Sequence, residues 1–284
     1  MKRFLITLLI YSFIQPVFAW NVSELFTNHD ERSVRRTIMS QVKYANKTNF
    51  EKFIGTYDSE YESCDGFNLE VYSNLVKDIW ETYKDIHYGI KIKNIKVEDN
   101  RAVVEVTEYS NADIKLTDNV NGALKSESES IYYLRKSNDG KWKVLSDLVL
   151  DERTSMLYGE AKNLDIKLDA PLQVQEDTEY SASLEFVPPE GTLAIASISS
   201  DKVEYPQKAA KEVFRTMPED NILERLFTSN SDKVNEYVVA SIGLTKTDVC
   251  DLSIKLSLTG FGYVIRRVNV IPAKIEECVN EQAK

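Results

Sequence analysis

A chain of 284 residues with 43% hydrophobic and 28% charged side chains holds enough apolar material for one large or two ordinary globular domains, and two is the better expectation. Its 45 acidic residues against 35 basic ones give a formal net charge of −10, which disfavours nucleic acid and anionic lipid as partners because both need a positive surface. Three cysteines and two histidines without CxxC or Cys/His spacing give neither a zinc cluster nor a dense disulfide framework, so no metal and no cofactor is expected.

The N-terminal residues 1–19 differ in kind from the rest of the chain. Lys2 and Arg3 precede an apolar run from Phe4 to Ile14, then Pro16 and the small-residue end Val17-Phe18-Ala19. That is the layout of a secretory signal peptide cut after Ala19, with a retained N-terminal anchor as the alternative. Its removal leaves 33 basic against 45 acidic residues, a net charge of −12. No later apolar stretch reaches the roughly 20 residues that a membrane-spanning helix needs. The mature protein is therefore expected to be periplasmic or secreted, with no membrane span after cleavage. The sequons at Asn21 and Asn46 matter only in a glycosylating host.

From Asp30 to Asn46 the apolar positions Val34, Ile38, Val42 and Ala45 form one stripe of a helix. FEKFIGTYD, residues 50–58, predicts a short helical or turn-like piece. In the run SCDGFNLEVYSNLVKDIWETYKD, Tyr72, Leu75, Val76, Ile79, Trp80 and Tyr83 fall at helical spacing after a candidate cap at Asn68. The period then changes to two in IKIKNIKVEDNRAVVEVTEYS, a pair of antiparallel strands about the turn Glu98-Asp99-Asn100. A polar connection, 111–130, is expected before the hairpin IYYLRKSNDGKWKVLSDLVL. A three-residue Asn138-Asp139-Gly140 loop there sets Trp142 opposite Lys136 and Val144 opposite Leu134. It gives Gly140 the left-handed position and gathers Tyr132, Leu134, Trp142 and Val144 on one buried face.

After a linker at 153–160, strand candidates recur as AKNLDIKLDA, TEYSASLEFVPP, TLAIASISS, ILERLFTSN, NEYVVASIGLT, DLSIKLSLTG and GYVIRRVNVIP. Seven short strands at this spacing suggest a β-sandwich of immunoglobulin-like architecture over 161–275, with a tail at 276–284. PQKAAKEVFRTMPEDN interrupts the rhythm with a helical turn or long connection. LTGFGY reads as a hairpin turn, not a phosphate loop. In an exported chain Cys250 and Cys278 are the only cysteine pair within one predicted domain. A turn between Gly260 and Phe261 sets Cys250 opposite Ile271, so a bridge requires the tail after Pro272 to fold back.

The order helix, short helix, long helix, hairpin, connection, hairpin suits helices packed on a curved antiparallel sheet, an α+β cone-shaped domain spanning 20–152. On YDSEYESCDG, IWETY, NRAVVEVTE and above all NDGKWKVLSD, this part resembles the nuclear transport factor 2-like superfamily, which includes polyketide cyclase-like (SnoaL-like) and ketosteroid isomerase-like domains. The whole chain resembles exported bacterial proteins that join such a domain to a β-sandwich. The resemblance implies a conical cavity in which enzymes place an acid or base and a polarising Tyr or Asp.

The candidates for that cavity are Tyr57, Asp58, Tyr61, Asp65, Trp80, Tyr83, His87 and Tyr132. Ligand contact falls to Tyr57, Tyr61, Trp80, Tyr83 and Tyr132; weak catalytic candidates are Asp58, Asp65 and His87. Each has a plainer explanation. Asp58 and Asp65 sit in a turn where caps and Asx-turns are common. His87 joins a helix to a strand with no second His or Cys to complete a catalytic set, and His29 is less persuasive still. An aromatic stripe on a helix facing a sheet is more often core. DSEYESCD lacks the spacing of a calcium loop, and no nucleophile or phosphate-binding motif is present. The leading expectation is a non-enzymatic exported protein binding a small molecule or peptide, with the β-sandwich as interaction or spacer module. An isomerase- or cyclase-type enzyme with a pocket carboxylate and tyrosine, and a structural envelope component that forms a homodimer or meets another envelope protein, are the alternatives.

Overall fold

The computed structural model describes residues 29–117, 120–208, 211–250 and 253–273. The expected signal peptide and Cys278 lie outside these, and with Cys278 the expected Cys250–Cys278 pair. Among the described residues no helix is long and apolar enough to cross a membrane.

The first half runs α1 (His29–Ala45), α2 (Phe50–Ile54), β1 (Tyr57–Ser63), α3 (Leu69–Thr82), β2 (His87–Glu98), β3 (Arg101–Thr117), β4 (Val120–Lys136) and β5 (Trp142–Gly159). Helix α1 forms on the predicted stripe and buries Val34, Ile38, Gln41 and Ala45. Asn68 caps α3, its side chain accepting the Val71 N–H at 3.0 Å. Both helices close over one face of the sheet, where Val34, Ile38 and Val76 meet Ala102, Val104, Val106, Tyr132, Leu134, Trp142 and Val144.

The closing hairpin has the expected register. Trp142 pairs with Lys136 and Val144 with Leu134, and Gly140 has φ 80°. Residues 111–130 differ from expectation: they are no connection but the distal halves of β3 and β4, paired from Asn111↔Lys125 to Thr117↔Val120. Asn111, Asn121, Lys125, Glu127 and Glu129 are exposed, on the solvent side of a two-residue period, while Ala112, Ile114 and Leu124 on the other side form a small buried cluster.

The second half contains β6 (Lys167–Asp169), β7 (Gln173–Gln175), β8 (Glu179–Glu185), β9 (Thr192–Lys202), β10 (Arg215–Thr216), β11 (Ile222–Thr228), β12 (Glu236–Cys250) and β13 (Ser253–Ile271). Strands β11-β8-β6 form a sheet that packs Tyr180, Ala182, Leu184 and Leu223 against Ala196, Ile198, Val238, Ala240, Ile242 and Val268 of the main sheet. Among its described residues the interrupting segment 206–221 contributes one short strand, β10.

The main sheet has the order β10-β9-β12-β13-β5-β4-β3-β2 and passes from one half of the chain to the other without a break. Strand β5 makes this join. Its first part takes β1 as a parallel neighbour, Tyr57↔Val144 and Ser63↔Asp147, and its last part takes β13, from Arg153↔Arg266 to Gly159↔Gly260. The expected linker at 153–160 is therefore mostly strand, bonded on both edges, with Glu160–Asn163 a 3-10 turn.

The expected turn at LTGFGY is likewise absent. Gly260 and Gly262 lie inside the continuous strand β13, where a Cβ would come within 2.5 Å of the Ala161 backbone nitrogen and 2.4 Å of the Met156 carbonyl oxygen. These glycines admit a close backbone approach. The β12–β13 register accordingly sets Cys250 opposite Ser253, not Ile271.

Candidate ligand pocket

Between the helices and the sheet lies a cavity of about 150 Å³, lined by Gln41, Val42 and Ala45 of α1, five residues of α3, and Tyr88, Gly89, Ile90, Glu108, Tyr109 and Tyr132 of the strands, with Phe53 and Tyr57 at one end. Three side-chain contacts organise it. The Tyr57 and Tyr72 hydroxyls share a hydrogen bond at 2.9 Å. Trp80 Nε1 donates to the Tyr88 hydroxyl at 3.0 Å. The Tyr132 hydroxyl donates to Glu108 Oε1 at 2.5 Å.

Burial pushes the Glu108 carboxyl above its usual range, against the opposing pull of the Tyr132 hydrogen bond. The phenols of Tyr57, Tyr72 and Tyr132 are raised for the same first reason, burial. A carboxyl and three phenols thus converge in an aromatic enclosure, all biased toward their neutral forms.

Of the sequence candidates, Tyr57, Trp80 and Tyr132 line this cavity. Tyr61 stands behind it, 2% exposed and ring-packed on Tyr57 and Tyr72 at 4.9 and 5.2 Å. Tyr83 lies elsewhere, donating to Met156 Sδ at 3.3 Å. His87 is an exposed residue at the start of β2.

The two aspartates are ion-paired away from the pocket. Asp58 receives Arg135 Nη2 at 2.7 Å and Nε at 3.1 Å, and its Oδ1 caps the Glu60 N–H at 3.0 Å. Burial works against its charge, but the Arg135 hydrogen bonds, the Glu60 N–H and the positive charges of Arg135 and Lys143 together outweigh it and hold the carboxyl below the usual range. Asp65 receives Arg267 Nη2 at 2.5 Å and Asn235 Nδ2 at 2.8 Å. Neither carboxylate lines the cavity, so neither stands where the enzyme alternative placed its base.

Glu108, Gln41, Tyr72 and Tyr88 were not among the sequence candidates. A signal for Glu108 existed: in RAVVEVTEYS it shares parity with the buried Ala102, Val104 and Val106, so period two points it inward. Asp147, behind Tyr61, carries a second signal. Its Oδ1 and the Tyr61 hydroxyl are buried without hydrogen-bond partners. Burial, then the neighbouring Glu108 and Asp65, raises the Asp147 carboxyl to about 6.

The folded state therefore binds the Asp147 proton more tightly than the unfolded chain. The corresponding stability is fully present below pH 4 and is lost as pH rises through 6. Asp147→Asn should stabilise the protein by about 2 kcal/mol at pH 8 and leave it nearly unchanged at pH 4. Urea unfolding at the two pH values measures this, and an equal effect at both would contradict it.

A wider trough of about 1120 Å³ lies on the opposite face of β3–β5, beside β6. Its floor mixes Asp113, Lys125, Glu127 and Arg153, and its buried Arg266 lies 3.2 Å from Asp151. Such a balanced, open surface selects no charge; the smaller cavity concentrates the unusual chemistry. Among the described residues no group of three or more His, Cys, Asp or Glu is placed to hold a metal ion.

The sequence matches no protein-family model and no curated protein. Among solved structures, Bd1075 of Bdellovibrio bacteriovorus aligns with 42% of this chain at 17% identity and a TM-score of 0.35, and the aligned part spans only 39% of that protein. A Streptomyces avermitilis protein of the NTF2-like family aligns over 42% of this chain and 93% of its own, at 14% identity and a TM-score of 0.33. An LEH-like epoxide hydrolase from M. tuberculosis aligns over 42% and 84%, at 13% identity and a TM-score of 0.30.

Proposed function

We propose that this is an exported protein whose pocket beneath the helices binds a small, compact and largely apolar molecule carrying one hydrogen-bonding group. The C-terminal β-sandwich, of immunoglobulin-like architecture, serves as an interaction or spacer module. One observation carries the binding reading: a cavity of about 150 Å³ is left unfilled by the protein's own side chains, and the Glu108 carboxyl and the Tyr57, Tyr72 and Tyr132 hydroxyls gather at or beside its aromatic wall. Its volume matches about five water molecules at ~30 Å³ each. That size favours a small molecule over a peptide.

Ile90 pairs with Glu108 and shares its inward side of the sheet. Ile90→Trp should fill the cavity and weaken binding of compact fragments at least about tenfold, at a packing cost of about 1–3 kcal/mol. Nuclear magnetic resonance shifts at the Trp80 indole N–H, together with circular dichroism as a check on folding, read both effects. Binding that survives in a folded Ile90→Trp variant would remove the pocket from consideration.

The Tyr132–Glu108 contact favours a second role, proton transfer. In its ionised form such a carboxylate, its basicity raised by burial and with a phenol donor beside it, can take a proton from a carbon acid and, as the carboxylic acid, return it. Deuterium entry from heavy water into a bound fragment, abolished by Glu108→Gln, is the expected sign.

A further inference from the structure

We propose that the pocket selects a small organic ammonium ion, its nitrogen set against the Glu108 carboxylate within the surrounding aromatic rings. The inference rests on the binding reading above and specifies the class of ligand.

The lining contains the aromatic residues Phe53, Tyr57, Tyr72, Trp80, Tyr88 and Tyr132, and among its described residues only one is charged, Glu108. Among the described residues no Lys, Arg or His lines it. The titratable groups that interact with Glu108 are Tyr132 of β4, Tyr72 of α3, and Asp147 and Glu152 of β5, all of them phenols or carboxyls. Arg267 interacts with Glu152 of this acidic group, but its guanidinium is committed to Asp65 by hydrogen bonds at 2.5 and 3.0 Å.

A carboxylate in such a place lacks a countercharge, and a ligand that brings one gains both the ion pair and the attraction of the ring faces. Aromatic walls suit an alkylated ammonium better than a metal ion, because they supply π surface and few oxygen ligands.

Gln41 provides an independent sign. It is 5% exposed, lines the same cavity, and its Nε2 has no hydrogen-bond partner. As placed, the amide N–H can donate to a ligand hydroxyl; turned over, its oxygen can accept from an ammonium N–H. Either use pairs a cationic head with a short polar arm, within a volume of about five waters.

Burial favours the neutral Glu108 carboxyl in the empty pocket. Ammonium binding holds the ionised form, so a protonated Glu108 releases its proton to solvent as the cation enters. Affinity should therefore rise with pH and level off once Glu108 is ionised in the free protein.

Choline and 3,3-dimethylbutan-1-ol have the same shape and differ by a positive nitrogen in place of a carbon. Calorimetry and Trp fluorescence on the full chain at pH 5 and pH 8 should show choline or tetramethylammonium binding at least tenfold tighter than the neutral alcohol, with the margin larger at pH 8. Glu108→Gln should bring the two probes level. The wild-type comparison needs no variant, so the outcome does not depend on how the mutant folds. If the neutral alcohol binds as tightly as choline, the ammonium inference fails and the pocket stands. If neither binds, and no other compact fragment shifts the Trp80 resonance, both fail together.

Discussion

Arg267→Leu should destabilise the protein by about 3–5 kcal/mol, the cost of stranding a buried charge by removing its partner. Arg267 is 1% exposed and grips Asp65 through two nitrogens, Nη2 to Oδ1 at 2.5 Å and Nη1 to Oδ2 at 3.0 Å. Its Nε donates to Asn269 Oδ1 at 2.8 Å, and Asn235 Nδ2 adds 2.8 Å to the Asp65 carboxylate. The pair links the segment between β1 and α3 to β13, so it fastens the first half of the chain to the second. Losing it should lower the melting temperature by about 10 °C.

The double variant Asp65→Asn, Arg267→Leu removes the orphaned charge and should recover part of the loss. Urea unfolding of wild type, both single variants and the double gives the coupling directly. If Arg267→Leu costs less than about 1 kcal/mol, the clamp behaves as a surface pair and does not fasten the two halves. The same geometry gives Asp65 a structural part: its two oxygens are taken by a guanidinium and an amide, outside the lining of the pocket.

What the sequence made legible was local. The α1 stripe needs only neighbours three and four positions apart, and the Asn138–Gly140 hairpin needs only that Leu134, Trp142 and Val144 share a face. Asn68 signals its own role because a cap acts three residues downstream. What stayed hidden depends on partners far along the chain. Asn111–Ser130 carries weak strand formers, and pairing with each other, with β2 and with β5 overrides that preference. LTGFGY resembles a turn by composition, yet its glycines answer to the backbone of Met156 and Ala161, about a hundred residues earlier in sequence. Glu108 escaped notice because a lone acidic residue in a strand is ordinarily a solvent-facing one. Only the parity it shares with Val104 and Val106 marks it. Asp58 and Asp65 are candidates through the cavity that the resemblance implies, but nothing nearby in sequence points to Arg135 and Arg267, which reach them from other strands.

The other large effect is expected at Gly159, where β5 ends against β13. Its backbone has φ 59° and ψ −135°, a combination open essentially to glycine alone. A Cβ there would meet the Thr259 carbonyl oxygen at 2.3 Å, with Gly260 Cα at 3.2 Å. Gly159→Ala therefore adds backbone strain to a collision with a neighbour that is itself backbone and cannot swing aside, a combined cost of about 3 kcal/mol or more. Gly140→Ala is the matched control. Gly140 also has positive φ, at 80°, but a Cβ on it meets nothing within 4 Å, so only the strain applies, about 1 kcal/mol. The difference between the two variants in urea midpoint isolates the close approach of β5 and β13. Strand β5 carries Asp147 and Glu152 toward the pocket side and Arg153 through Gly159 into the pairing with β13. A shift at Gly159 should therefore also alter the pH dependence assigned to Asp147, whereas Gly140→Ala should leave it in place. Equal costs for the two substitutions would mean that β13 yields at this crossing, and that the two halves of the chain are held by the Asp65–Arg267 clamp more than by the shared strand.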